Sequence, residues 1–292
     1  MLGSCFLKRL SGDKDFETFA FDKSDLDISD FNKVLDVFKR ISPDFVINCA
    51  AYTAVDDCET NREEALKVNG DALEAIARAC KSENAALVHF STDYVFNGLI
   101  EGGYTESAQT DPINFYGQSK LRGEENIEKF MNDYYIIRTS WLFGEGGKNF
   151  VDTMISLGSD RDELSVVCDQ VGSPTYVNDL CEAVLKYFLS PFLEELDKQH
   201  RRQFEDSVVE HKKVPFGIYH LSNSDTTCWY DFAVEIFKEA KVDVIVNKVT
   251  SAEFKTPAKR PKVSNLYNTK LDFNLRPWTE ALRSYLDLTY FR

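Results

Sequence analysis

The chain has 292 residues, enough for one large domain or two modest ones. Its 48 acidic and 34 basic residues give a formal net charge of −14, which argues against a nucleic-acid partner because phosphate binding needs a positive surface. Its apolar runs, such as Phe45 to Ala51, are far shorter than the roughly 20 residues that span a bilayer, and no secretory signal follows Met1, so no membrane partner is expected.

Strand-like and helix-like segments alternate, which indicates an α/β fold with a parallel sheet. Helix-like residues begin directly after Met1, and a strand is expected to end at Asp22. Phe31 to Ile41 has helical spacing, with Phe31, Val34, Leu35 and Phe38 on one face, and Pro43 marks a break. Phe45 to Ala51 reads as a buried strand running into a loop of small residues. Asn61 to Ser82 is a long helix, and Ala86 to Ser91 a strand that ends at Thr92. Tyr116 opens a helix that continues to about Met131. Strands follow at Tyr135 to Arg138 and Leu164 to Val167, and a helix at Val177 to Leu189. Glu194 to Lys213 is strongly charged and reads as a solvated insertion with no assigned function. Phe216 to Leu221 is a strand and Trp229 to Ala240 an amphipathic helix. Pro257, Pro261 and Pro277 then suggest loops and short helices rather than more parallel sheet.

Seven cysteines, at positions 5, 49, 58, 80, 168, 181 and 228, are odd in number and include no C-x-x-C pair. This argues against a metal centre and a disulfide framework, and it makes the cytoplasm the default location.

Chemistry concentrates between Ser91 and Lys120. Tyr116 and Lys120 lie four apart, on one face of a helix. A phenol with a reference pKa of about 10 exchanges protons poorly at neutral pH, and a neighbouring ammonium lowers that value. Thr92, at a strand end, can hydrogen-bond the same substrate oxygen, where open α/β sheets place their ligands. The set suits proton transfer alongside a cofactor-borne hydride. A half-buried Tyr beside a surface Lys is the structural alternative for the pair. Ala50, Ala51 and Tyr52 follow a buried strand, and their small side chains suit either a flat cofactor or plain close packing. Asp25 to Ile28 would lie near a dinucleotide's adenine end or cap the helix at Phe31, a task Ser29 or Asp30 would serve as well.

Further motifs are Leu26-Asp27-Ile28, Asn48-Cys49-Ala50-Ala51-Tyr52-Thr53-Ala54-Val55-Asp56, Ser91-Thr92-Asp93-Tyr94-Val95-Phe96-Asn97-Gly98 and Tyr116-Gly117-Gln118-Ser119-Lys120. Arg138 to Gly144, Asp169 to Thr175, Lys259 to Ser264 and Leu275 to Trp278 complete them. In this order they cover nearly the whole chain. Together they resemble the extended short-chain dehydrogenase/reductase superfamily and, within it, the dTDP-4-dehydrorhamnose reductase family. The resemblance implies a Rossmann-type doubly wound parallel sheet with a smaller C-terminal substrate-binding lobe. The cofactor domain would comprise residues 1–148 and 176–222, and the lobe 149–175 and 223–292.

The resemblance implies a catalytic Thr92, Tyr116 and Lys120. It implies cofactor contacts at Gly3, Asp27, Ile28, Ala50, Ala51 and Tyr52, shared with Tyr116 and Lys120. Thr92, Asp93, Trp141 and Arg260 would meet a dTDP-sugar. A guanidinium suits a diphosphate, with a surface Arg held by Pro261 as the alternative; for Trp141 the alternative is a core position. The implied cofactor is NADPH or NADH. Asp22 could accept a ribose hydrogen bond, and Lys23 could pair a 2′-phosphate. A homodimer and Mg2+ are expectations by resemblance alone.

The family's first strand and glycine-rich loop have little counterpart in Met1-Leu2-Gly3, where Gly3 matches the loop's last glycine. The expectation is that Met1 is a methionine internal to that loop. A first strand would be central to the sheet, so its loss is expected to expose backbone and apolar side chains and to weaken cofactor binding. Rival functions are a 4,6-dehydratase or 4-epimerase, and a non-catalytic subunit like the methionine adenosyltransferase β subunit. Tyr94, standing where a dehydratase would carry an acid, argues against dehydration.

Overall fold

The computed structural model describes residues 1–14, 16–200 and 214–291. Its centre is a four-stranded parallel sheet in the order Phe45–Asn48, Ala86–Thr92, Tyr134–Thr139, Gly217–His220. Ala86–Thr92 is buried at every position, as expected of a strand covered on both faces.

Side chains along these strands alternate between two cores. Val88, Phe90, Tyr135, Ile137 and Tyr219 enter one, together with Leu2, Cys5 and Phe6 of the helix Leu2–Leu10 and Val177, Leu180 and Val184 of the helix Val177–Val184. Leu87 and Ile136 enter the other, against Val34 and Phe38 of the helix Phe31–Ile41, Leu73 and Ile76 of the helix Ala72–Glu83, and Ile127. Helices therefore cover both faces, the doubly wound arrangement.

Most expected elements occupy their expected places. The helix Phe31–Ile41 starts on Asp30, whose carboxylate accepts from Lys33 N at 3.1 Å. The helix at Asn61 is divided: Arg62–Leu66 and Ala72–Glu83 flank a wider π-turn, Lys67–Asp71. The strand expected to end at Asp22 does not form. Residues 17–25 are exposed, with Phe19 at 51% and Phe21 at 44%, and they pair with no strand among the described residues. Among the described residues, Phe45–Asn48 is paired on one side only, and its Phe45 packs on Phe192 at 5.3 Å.

The C-terminal part is more regular than its prolines suggest. Trp278–Thr289 is a 12-residue helix that inserts Trp278, Leu282, Tyr285 and Leu286 into the first core. Short parallel pairings also occur outside the main sheet, Ile245–Val249 with Glu163–Val167 and Leu266–Tyr267 with Tyr104–Thr105. Pro277 is tolerated because it ends its strand, Leu275–Pro277. Of the charged stretch from Glu194 to Lys213, the first residues continue the helix Ser190–His200, and 201–213 lie outside the described residues.

Candidate active site

The helix Phe115–Phe130 carries Tyr116 and Lys120 past the C-terminal end of the sheet, where Thr92 closes its strand. Asn114 caps it, accepting from Gly117 N at 2.8 Å. Gly117 is required by proximity: a Cβ there would lie 2.1 Å from the Tyr94 carbonyl oxygen. That contact brings Tyr116 against the turn after Thr92, with the Tyr94 and Tyr116 rings edge-to-face at 5.9 Å.

Thr92 Oγ1 donates to Asp93 Oδ1 at 2.9 Å and accepts from Tyr94 N at 3.1 Å. Asp93 is buried, and its Oδ2 has no hydrogen-bond partner among the described residues. Burial pushes this carboxyl up to about 6, although the Ser264 and Thr92 hydroxyls oppose the shift. Burial, reinforced by the Asp93 charge, also pushes the Tyr116 phenol upward, and the Thr92 hydroxyl pulls it down. The lowering expected from a Lys120 ammonium is not found, because Lys120 turns elsewhere.

Lys120 is buried. Its Nζ donates to Phe90 O at 2.6 Å and lies 3.1 Å from His89 Nε2. Desolvation lowers this amine to about 8 despite the opposing charge of Glu124. Glu124 is itself held by Arg138 through Nε at 3.0 Å and Nη2 at 2.6 Å, and it accepts from the Ser91 hydroxyl. This buried ion pair braces the helix Phe115–Phe130 against the strand Tyr134–Thr139.

The cofactor candidates group in two places. Ala50, Ala51 and Tyr52 form the loop after Phe45–Asn48, with Gly3 close by: a Cβ on Gly3 would stand 3.4 Å from Cys49 Cβ. Asn69 clamps this loop, accepting from Tyr52 N at 2.8 Å and donating to Tyr52 O at 3.0 Å. The same Asn69 donates to Ser119 of the helix Phe115–Phe130 at 3.0 Å. Asp27 and Ile28 sit apart, before the helix Phe31–Ile41; Asp27 accepts from Ser29 N and Oγ at 3.0 and 2.7 Å. Asp22 is exposed and engaged with Ser24, and Lys23 pairs with Glu64 at 3.4 Å. Small side chains at 50 and 51, a fixed backbone at 52 and a buried amine at 120 fit a nicotinamide nucleotide. No group of three or more His, Cys, Asp or Glu among the described residues is arranged to hold a metal ion.

On the substrate side, Trp141 adopts φ +48°, a left-handed backbone that costs a non-glycine residue about 1–3 kcal/mol. This turns its ring onto Trp229, stacked at 3.6 Å and 9°, and against Gly172, whose added Cβ would meet it at 2.7 Å. Arg260 reaches back to Asp56 at 2.5 and 2.8 Å, while Asn114 donates to Lys259 O at 2.8 Å. Pro261 packs at Gly98. The structure thus brings Thr92, Asp93 and Tyr116 together, with Lys120 one turn further along the helix and Arg260 entering from the C-terminal segment; Trp141, two residues after the strand Tyr134–Thr139, packs on Trp229 and Gly172.

Sequence reasoning missed Asn69, His89, Asn114, Asp56 and the Glu124–Arg138 pair. Asn114 had a readable signal, a cap residue directly before Phe115. The others are joined across 14 to 204 positions, which local spacing does not reveal.

A family model described as RmlD substrate binding domain matches residues 1–291. The chain is 36% identical over 293 residues to the dTDP-4-dehydrorhamnose reductase of Aggregatibacter actinomycetemcomitans, covering 97% of this chain and 94% of that protein. It is 40% identical over 274 residues to the spore coat polysaccharide biosynthesis protein SpsK of Bacillus subtilis (strain 168), covering 93% and 88%. The crystal structure of dTDP-4-dehydrorhamnose reductase from Bacillus anthracis str. Ames in complex with NADP matches with a TM-score of 0.85 at 37% identity, covering 99% of this chain and 95% of that one. The family model, the curated relatives and the fold agree, and the chain belongs to the dTDP-4-dehydrorhamnose reductase family.

Proposed function

We propose that this chain reduces the 4-keto group of dTDP-4-dehydro-β-L-rhamnose, giving dTDP-L-rhamnose. The observation that carries this is Tyr116 seated beside Thr92 and Asp93 at the sheet's C-terminal end, with Lys120 one turn along the helix. NADPH or NADH, when bound, supplies the hydride for the carbonyl carbon. Tyr116 gives its proton to the oxygen as negative charge develops there, and Thr92 hydrogen-bonds that oxygen. Lys120, one turn along the helix, would hold the ribose next to the nicotinamide.

Gly3, Asp27, Ile28, Ala50, Ala51 and Tyr52, with Tyr116 and Lys120, are the residues that would hold the nucleotide. Trp141, Asp93 and Arg260 would orient the sugar nucleotide. Residues 1–148 and 176–222 serve the cofactor, and 149–175 with 223–292 serve the sugar. All seven cysteines are free thiols, which supports a reducing, cytoplasmic setting.

The test is direct. The protein is mixed with NADPH and the dTDP-4-keto sugar, and the nicotinamide absorbance is followed while the sugar product is identified. Loss of absorbance with formation of dTDP-L-rhamnose is expected. Oxidation of NADPH without that product, or no turnover with either NADPH or NADH, would refute the assignment.

A further inference from the structure

A helix leaves backbone N–H groups without partners at its start, and in the helix Phe115–Phe130 one of them is met by a side chain from far along the chain. Phe115 N donates to Glu59 Oε1 at 2.8 Å, across 56 positions. Asn114 takes a second of these donors, Gly117 N, at 2.8 Å. Glu59 closes the short turn Asp57–Glu59, which follows the loop Ala50-Ala51-Tyr52.

Arg62 holds Glu59 in place. It donates through Nη2 to Glu59 Oε2 at 3.4 Å and through Nε to Glu59 O at 3.1 Å. Its guanidinium also lies 5.1 Å above the Phe115 ring. The Glu59 side chain is only 21% exposed, and its Oε1 stays aimed at the helix. A carboxylate there also meets the positive end of the helix.

Tyr116 is the second residue of this helix, so its backbone is placed by that first turn. We propose that Glu59 is a positioning residue for the reductase chemistry: by accepting from Phe115 N it holds the first turn, and with it the Tyr116 phenol, beside Thr92. The proposal rests on the assigned function. Misplacing a reacting group by about 1 Å can cost on the order of 10²-fold in rate. The neighbours of Glu59 bind Tyr52 as well. Cys58 Sγ donates to Tyr52 O at 4.0 Å, and Asn61 Nδ2 donates to the Tyr52 hydroxyl at 3.3 Å. The turn therefore links the loop proposed for the nucleotide to the helix of the proton donor.

Two variants separate this role from general stability. Glu59→Gln keeps an oxygen acceptor for Phe115 N, and Glu59→Ala removes it. Both are assayed with NADPH and the dTDP-4-keto sugar at a temperature where they are folded. Glu59→Ala should lower kcat about tenfold with KM for each substrate within about twofold, and Glu59→Gln should recover most of the loss. A role in stability alone would lower Tm and leave kcat unchanged. Unchanged kcat in Glu59→Ala, or equal losses in both variants, would overturn the proposal. The second arm needs no turnover. Exchange of the Phe115 amide proton, followed by NMR in the intact protein, should be slow in the wild type and in Glu59→Gln, and about tenfold faster or more in Glu59→Ala. Equal rates in all three, or fast exchange in the wild type, would overturn the proposal whether or not the protein reduces the keto sugar. Should Glu59→Ala fail to fold, fast wild-type exchange or a tenfold loss of kcat in Glu59→Gln would still overturn it.

Discussion

Asp93 is the residue that the fold tolerates at an energetic cost. A carboxyl raised from 3.8 to about 6 binds its proton more tightly in the folded state. Its contribution is thus most favourable below about pH 4 and is lost as pH rises through about 6. Asp93→Asn should stabilise the fold at neutral pH by up to about 3 kcal/mol and have little effect in strong acid. Thermal denaturation at both pH values checks this, and an equal gain at both would contradict it. The unpartnered Oδ2 suits a substrate hydroxyl, so the same variant should bind sugar more weakly. At Tyr116 the chemistry itself is at stake. Tyr116→Phe removes the proton donor and should lower kcat by about 10²–10⁴-fold while NADPH affinity, measured by titration, stays near wild type. Near-normal turnover would remove Tyr116 from the mechanism.

The helix Phe115–Phe130 is set by two close approaches and one buried ion pair. A Cβ on Gly123 would fall 2.2 Å from the Asn69 carbonyl oxygen, a backbone atom that cannot step aside. Gly123→Ala should destabilise the fold by about 1–3 kcal/mol, readable in denaturant unfolding. Arg138→Met would strand Glu124 in the core and should cost about 3–5 kcal/mol, whereas Arg138→Met with Glu124→Gln should cost clearly less. Equal losses would mean the charge is not the cause. The helix itself was legible at Tyr116-Gly117-Gln118-Ser119-Lys120, because apolar periodicity and a Tyr–Lys interval are local properties. The partner of Lys120 was not. His89 reads as one position in a buried strand, and only the fold sets it between Asn48 of the adjacent strand and Lys120. The missing strand before Asp22 has a similar cause: strand propensity is local, but a strand exists only beside another.

At the scale of the molecule, the C-terminal segments are fastened to the cofactor side by Arg260. Its guanidinium is paired bidentately with Asp56, in the geometry that would grip a diphosphate. Arg260→Ala should raise KM for the sugar nucleotide by about 10–100-fold with little change in KM for NADPH, and equal changes in both would argue for a structural role alone. Trp141, proposed above to orient the sugar nucleotide, offers a second readout. The chain has three tryptophans; Trp141 and Trp229 are stacked face to face at 3.6 Å with nearly parallel rings, and the third, Trp278, is buried against Phe232. Two indoles so close share their electronic excitation, so the resting protein should show a split circular-dichroism couplet that Trp229→Phe abolishes. A sugar nucleotide settling on Trp141 would perturb the pair and change the couplet and the emission together. If Trp141 meets the sugar nucleotide as proposed, the stacked pair would be an optical gauge of occupancy, readable without label or turnover.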